Sequence, residues 1–151
     1  MLATMLEPML LSRMAAGDCV VSSGLLQNGA LAMECACKQT KGRGTFGKGW
    51  ISDEGNLFGS IFFPLKNNYP PFNEFSIINA VIVSDVIKKY CIGKNISFKW
   101  PNDVFVNGKK ICGILQEVIT SGESKFLIIG IGINLVTNPD LKKPYKATNI
   151  F

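Results

Sequence analysis

The chain has no histidine. That removes Ser-His-Asp and Cys-His catalysis and every His-ligated metal site. Arginine is scarce too: only Arg13 and Arg43 occur, so fork-like recognition of a carboxylate or phosphate falls mainly to Arg43. Acids number 11 against 16 lysines and arginines, a net charge of +5 that favours anionic partners: nucleotides, nucleic acid or acidic proteins. Long apolar runs are missing; stretches such as Phe126–Ile133 fall far short of the ~20 residues a bilayer requires. The Met- and Leu-rich residues 1–14 make a poor secretory signal. The five cysteines, Cys19, Cys35, Cys37, Cys91 and Cys112, are odd in number and scattered, the usage of a reduced, cytoplasmic protein. Cys35 and Cys37 would share a strand face, but zinc needs more ligands than their neighbourhood offers.

What is present suits one domain with a real core: 151 residues, 47% of them hydrophobic and 18% charged. The densest stretch is Lys41-Gly42-Arg43-Gly44-Thr45-Phe46-Gly47-Lys48-Gly49-Trp50, with four glycines, three cations and a tryptophan. Glycines let a backbone turn tightly and approach a ligand, and cations beside such a loop suit phosphate or carboxylate. A flexible, solvated surface loop would look the same. The spacing Gly42-x-Gly44-x-x-Gly47 fits a dinucleotide fingerprint, but no βαβ unit surrounds it.

Residues 1–16 carry a Met/Leu stripe of helical spacing broken by Pro8, and residues 17–30 read as turns around one short element. Ala30 to Lys38 and Asn56 to Phe63 read as strands on either side of the glycine stretch. Asn73 is placed to cap a helix running to about Tyr90, with Phe75, Ile78, Ile82, Val86 and Tyr90 near one stripe and Lys88 and Lys89 at its C-terminal end. Ile96 to Trp100 is a short strand. Asn107-Gly108 between Val104–Val106 and Lys110–Leu115 signals a hairpin with a type I′ turn. Phe126 to Asn134 is the most apolar strand and therefore central. The pattern predicts an α+β domain with a mixed or largely antiparallel sheet and helices packed on it.

Four strings stand out in order: the glycine stretch, Lys99-Trp100-Pro101-Asn102-Asp103, Lys110-Ile111-Cys112-Gly113-Ile114-Leu115, and Gly130-Ile131-Gly132-Ile133-Asn134. Singly, each fits a plain structural role: a turn, a solvated hairpin edge, sheet-packing glycines. Together they closely resemble the catalytic domain of biotin protein ligases, whose patterns are Gly-Arg-Gly-x-x-Gly-x-x-Trp, Lys-Trp-Pro-Asn-Asp, Lys-x-x-Gly-Ile-Leu and Gly-x-Gly-x-Asn. The likeness covers about residues 30–150, which makes 30–151 a partial catalytic domain and 1–29 a divergent N-terminal segment. Lipoate ligases share the fold but carry different strings.

The resemblance implies a fold like that of class II aminoacyl-tRNA synthetases. It also implies a reaction in which biotin and ATP give biotinyl-adenylate, and a lysine of a biotin carboxyl carrier domain then takes the biotin. It implies that Gln39, Gly42, Arg43, Gly44, Thr45 and Lys110 serve biotin or its adenylate, with Lys110 and Arg43 catalytic. Gly113 and Ile114 line the biotin pocket through backbone and apolar contact. Lys48, Trp50, Asn102 and Asn134 serve the nucleotide, and Asp103 helps place Mg²⁺. The family's pairing through a sheet edge makes a homodimer a candidate state.

Three departures accompany the likeness. Thr45 stands where the family loop usually has a second arginine, which would weaken retention of the adenylate. A Ser-Thr-Asn segment ahead of the loop has no counterpart better than Ser22-Ser23. The family's last helices and small C-terminal β-barrel are not expected within 151 residues, and no helix-turn-helix is evident. Two other functions remain open: a non-catalytic domain that binds biotin or nucleotide weakly, and a basic nucleic-acid binder. The latter is disfavoured by dispersed lysines without interleaved aromatics.

Overall fold

The computed structural model describes residues 24–25, 32–36, 38–140 and 146–151. The expected N-terminal helix and Ser22-Ser23 lie outside them. Seven strands form one sheet: β1 (Gly24–Leu25), β2 (Ala32–Ala36), β3 (Leu57–Pro64), β4 (Ile96–Lys99), β5 (Asp103–Val106), β6 (Lys109–Ser121) and β7 (Ser124–Ile133). Their order is β1-β2-β3-β7-β6-β5-β4, and every neighbouring pair is antiparallel. The apolar strand β7 is central, as its composition predicts. The β5–β6 hairpin turns at Asn107 and Gly108, both with positive φ (48° and 74°), the backbone that Asn-Gly adopts at least cost.

One helix among the described residues, α1 (Phe72–Lys88), packs across β4, β5 and β6. It departs from the sequence reading in two ways. Its N-cap position is Pro71, with no side-chain cap, so Asn73 lies inside the first turn. Proline suits a helix start because its missing N–H would have no partner there. The buried stripe is Phe75, Asn79, Val83, Val86 and Ile87, with Ala80 and Ser84; Ile78 is exposed instead. Ser84 is tolerated because its hydroxyl donates to the Val81 carbonyl at 2.8 Å.

Period two assigns the sheet's faces. Leu57, Ile61 and Phe63 of β3, Leu127, Ile129, Ile131 and Ile133 of β7, and Cys112 and Ile114 of β6 form one core with α1. The opposite face carries three cross-strand rows: Phe58-Gly132-Gly113, Ser60-Gly130-Leu115 and Phe62-Ile128-Glu117. No helix among the described residues is long and apolar enough to cross a membrane.

Buried Asn56 ties the chain after β7 to the start of β3. Its Oδ1 accepts from the backbone N–H of Leu135 (2.9 Å), Val136 and Thr137 (both 3.2 Å), and its Nδ2 donates to Thr137 Oγ1 at 2.8 Å. Asn56→Ala strands these donors, each unmet group costing about 1–3 kcal/mol. The variant is expected to lose about 2–4 kcal/mol in urea unfolding, while Asn68→Ala, in an exposed turn, changes stability by less than about 0.5 kcal/mol.

Candidate functional site

The glycine stretch folds as a small hairpin over the second face. Arg43 and Gly49 form an antiparallel bridge. Gly44 N–H donates to the Lys48 carbonyl (2.6 Å), and Trp50 N–H donates to the Gly42 carbonyl (2.9 Å). A 3₁₀ turn, Thr45–Gly47, makes the tip. Gly42 is required by crowding: a Cβ there would lie 2.5 Å from the Trp50 carbonyl oxygen and 2.7 Å from Ser52 Oγ. Beside it, Ser52 donates to Gln39 Oε1 at 2.7 Å. Phe46 at the tip sits at φ 56° and is 93% exposed.

Trp50 leaves this hairpin and lies on the sheet. Its indole covers Gly113 and Gly132, neighbours in register on β6 and β7. A Cβ on Gly113 would meet the ring at 2.5 Å, and one on Gly132 at 2.8 Å. The floor is therefore glycine because an aromatic rests on it. The indole Nε1 is buried without a hydrogen-bond partner.

A register irregularity delivers Lys110 to the same place. Val104 pairs with Cys112, but Phe105 pairs with Lys110, so Ile111 is an extra residue in β6. Simple alternation from Gly113 would turn Lys110 toward the core. The bulge instead puts both Ile111 and Cys112 in the core and Lys110 on the site face. Its Nζ lies 2.6 Å from Asp103 Oδ1 and 4.9 Å from the Trp50 ring centroid. Both side chains of this pair are only 13% exposed. Beneath it, burial pushes the Cys112 thiol far above its ordinary range, against the lesser lowering by Lys110. Cys112 is thus a neutral core residue and no nucleophile.

Asn102 is fastened to β6: its Nδ2 donates to the Ile114 carbonyl (2.8 Å), and its own carbonyl accepts from Ile114 N–H (2.9 Å). Asn134 is buried, and its Nδ2 donates to the Thr148 carbonyl at 3.0 Å. The segment 146–151 also flanks the bulged lysine: Lys110 N–H donates to the Lys146 carbonyl (2.9 Å) and Thr148 N–H to the Lys110 carbonyl (2.8 Å).

These parts enclose a cavity of about 770 Å³, within the range for small-molecule sites. Gln39, Arg43, Gly44, Thr45, Lys48, Trp50, Asn102, Asp103, Lys110, Gly113, Ile114 and Asn134 all border it. Gly42 does not; it shapes the hairpin from behind. Ile114 comes with a qualification, since its side chain belongs to the core and its backbone is held by Asn102. Leu115 supplies the apolar side chain on the site face.

Sequence reasoning missed Leu115, Glu117, Ser60 and Ile128, which also line the cavity. Period-two counting from Gly113 and Gly132 would have found Leu115, Glu117 and Ile128. Glu117 accepts from Arg43 at both oxygens, Nη1 to Oε1 at 3.0 Å and Nη2 to Oε2 at 2.6 Å. No cluster of three metal-ligating side chains occurs among the described residues; Asp103 is the carboxylate at the centre of the site.

Residues 24–134 match the biotin/lipoate A/B protein ligase family. The chain is 34% identical over 107 residues to a biotin–[acetyl-CoA-carboxylase] ligase of Paracoccus denitrificans, a match covering 70% of this chain and 45% of that protein. It is 36% identical over 107 residues to the bifunctional ligase/repressor BirA of Bacillus subtilis, covering 70% of this chain and 33% of that one. Among solved structures it resembles the Aquifex aeolicus biotin protein ligase in complex with biotin and ATP. That likeness has a TM-score of 0.63 at 33% identity and covers 78% of this chain and 49% of the other. The chain thus spans less than half the length of each of these three relatives.

The glycine floor makes a direct test. Gly132→Ala forces the indole off the sheet and is expected to shift the tryptophan emission, to which only Trp50 and Trp100 contribute. Gly130→Ala, whose Cβ would meet nothing nearer than 3.7 Å, leaves the spectrum unchanged. Equal spectra for both variants would refute this seating of Trp50.

Proposed function

The chain belongs to the biotin/lipoate A/B protein ligase family, and from that premise we propose that it is an ATP-dependent biotin protein ligase domain. Biotin's carboxylate attacks the α-phosphate of ATP and expels pyrophosphate, giving biotinyl-adenylate. The amine of an acceptor lysine, on a biotin carboxyl carrier domain, then attacks the acyl carbon and releases AMP. Neither step needs a side-chain nucleophile, which suits a site with no histidine and a core-bound Cys112. Catalysis here is positioning and charge stabilisation.

The observation that carries this reading is the mostly shielded Lys110, turned into the cavity by a bulge and facing the Arg43 loop. Two anions must meet in the first step. Lys110 would bridge the biotin carboxylate and the α-phosphate, where negative charge develops. Arg43 would hold the same groups from the roof. Gln39, Gly44 and Thr45 fall to biotin and the acyl end of the adenylate, as do Gly113 and the backbone of Ile114. Lys48, Trp50, Asn102 and Asn134 fall to the nucleotide. Asp103 would be the residue to hold Mg²⁺, an ion that takes one or two carboxylates alongside phosphate oxygens and water and would supply charge neutralisation at the triphosphate. A homodimer formed through a sheet edge, and a cytoplasmic location, belong to the same proposal.

Lys110→Ala is expected to lower biotin-dependent pyrophosphate release by at least about 100-fold, the scale for losing one charge-stabilising donor. Its cost in stability stays within about 3–5 kcal/mol, the scale for breaking a buried pair. Unchanged pyrophosphate release in that variant refutes the role of Lys110. A folded parent chain that forms no pyrophosphate from biotin, ATP and Mg²⁺ would favour a domain that binds biotin or nucleotide without catalysis.

A further inference from the structure

We propose that Glu117 is a positioning residue that latches the glycine hairpin over the cavity by gripping Arg43; its consequence for ligand retention rests on the ligase reading above. Three observations carry it. The contact is a fork-to-fork pair, 3.0 and 2.6 Å, between residues 74 apart in sequence, which joins the hairpin to the rigid strand β6. Glu117 stands in the same cross-strand row as Ile128 and two positions from Leu115, so its carboxylate rises from the cavity wall itself. The hairpin's other anchors, Trp50 on its glycine floor and the Gln39–Ser52 hydrogen bond, lie at its base. Among the described residues, no other salt bridge joins the hairpin to a strand.

The chemistry leaves Arg43 free to do two things at once. An end-on bidentate pair uses one N–H of each terminal nitrogen. Nε–H and the two remaining terminal N–H groups stay available to an anion in the cavity. Glu117 therefore holds the guanidinium in place without consuming it. The pair is also suited to opening: both side chains are partly solvated (68% and 37% exposed), and such pairs are weak and screened by salt. The hairpin can release to admit a ligand and close again on it. Thr45, neutral at the hairpin tip, leaves Arg43 as the one arginine in the hairpin that Glu117 can grip.

Limited trypsin digestion of the full chain reads the latch without any ligand, because Arg43 and Lys48 are cleavage points inside the hairpin. Glu117→Gln is expected to raise cleavage there about three- to fivefold at low salt, and about 1 M salt erases the difference by screening the parent's pair. A structural role of Glu117 in β6 alone would not produce that salt dependence. In the ligation assay the same variant releases preformed biotinyl-adenylate about three- to fivefold faster, and its effect falls on the biotin KM more than on kcat. Equal cleavage of variant and parent overturns the latch, as does faster cleavage with unchanged adenylate release. A parent chain that forms no adenylate sinks the ligase reading instead, and the cleavage comparison alone then decides for or against the latch.

Discussion

The site depends on one extra residue in a strand. A sheet with one buried face cannot place a lysine by alternation alone when its neighbours are Ile111 and Cys112, both fully buried. The bulge at Ile111 resolves the conflict by sending two consecutive residues into the core and Lys110 to the other face. Asp103, opposite Gly113 in β5, is then within ion-pairing distance. The cost of shielding the ammonium is offset by that carboxylate and by the Trp50 ring beneath it. Removing the bulge would drive an unpaired charge into an apolar core, so fold and site are set by the same local decision.

The remaining parts of the site are arranged by what must lie flat. Trp50 settles on the sheet because two in-register glycines leave the height of a ring open above β6 and β7. Its backbone is drawn there by the hairpin, whose closure needs Gly42 to be bare. The tip is strained at Phe46, a non-glycine residue in left-handed backbone. A hydrogen-bonded base, an exposed tip and one salt-sensitive clasp at Arg43 make a roof whose position is set by weak forces over a floor set by strong ones.

Much of this was legible in the chain. Asn107-Gly108 marked its hairpin, the apolar run at β7 marked the central strand, and twelve of thirteen expected site residues border one cavity. The helix face was misread because Asn79 and Ser84, polar in sequence, are core residues: Ser84 donates within its own helix to the Val81 carbonyl, and Asn79 is buried with its Nδ2 unpartnered. Asn73 looked like a cap, yet Pro71 takes that position. Glu117 was overlooked because its meaning comes from Arg43, 74 residues away. Pairing of β3 with β7 is equally non-local, and no local propensity announces it. The bulge is hidden for a similar reason: Lys110-Ile111-Cys112-Gly113 shows its spacing in sequence but not its change of face.

The backbone of Lys110 is clasped on its free side by residues 146 and 148, beyond the point where β7 ends. Those two hydrogen bonds connect the site-facing lysine to a short irregular segment rather than to the sheet's long ladders. Local openings draw on such thinly bonded parts before global ones. Heat or denaturant should therefore silence the site while the sheet is still intact. The difference would be seen as faster amide exchange at Lys110 and Thr148 than at Leu127 and Ile129, and simultaneous exchange at all four would contradict it. Durability of the fold and durability of the site would then be two separate quantities.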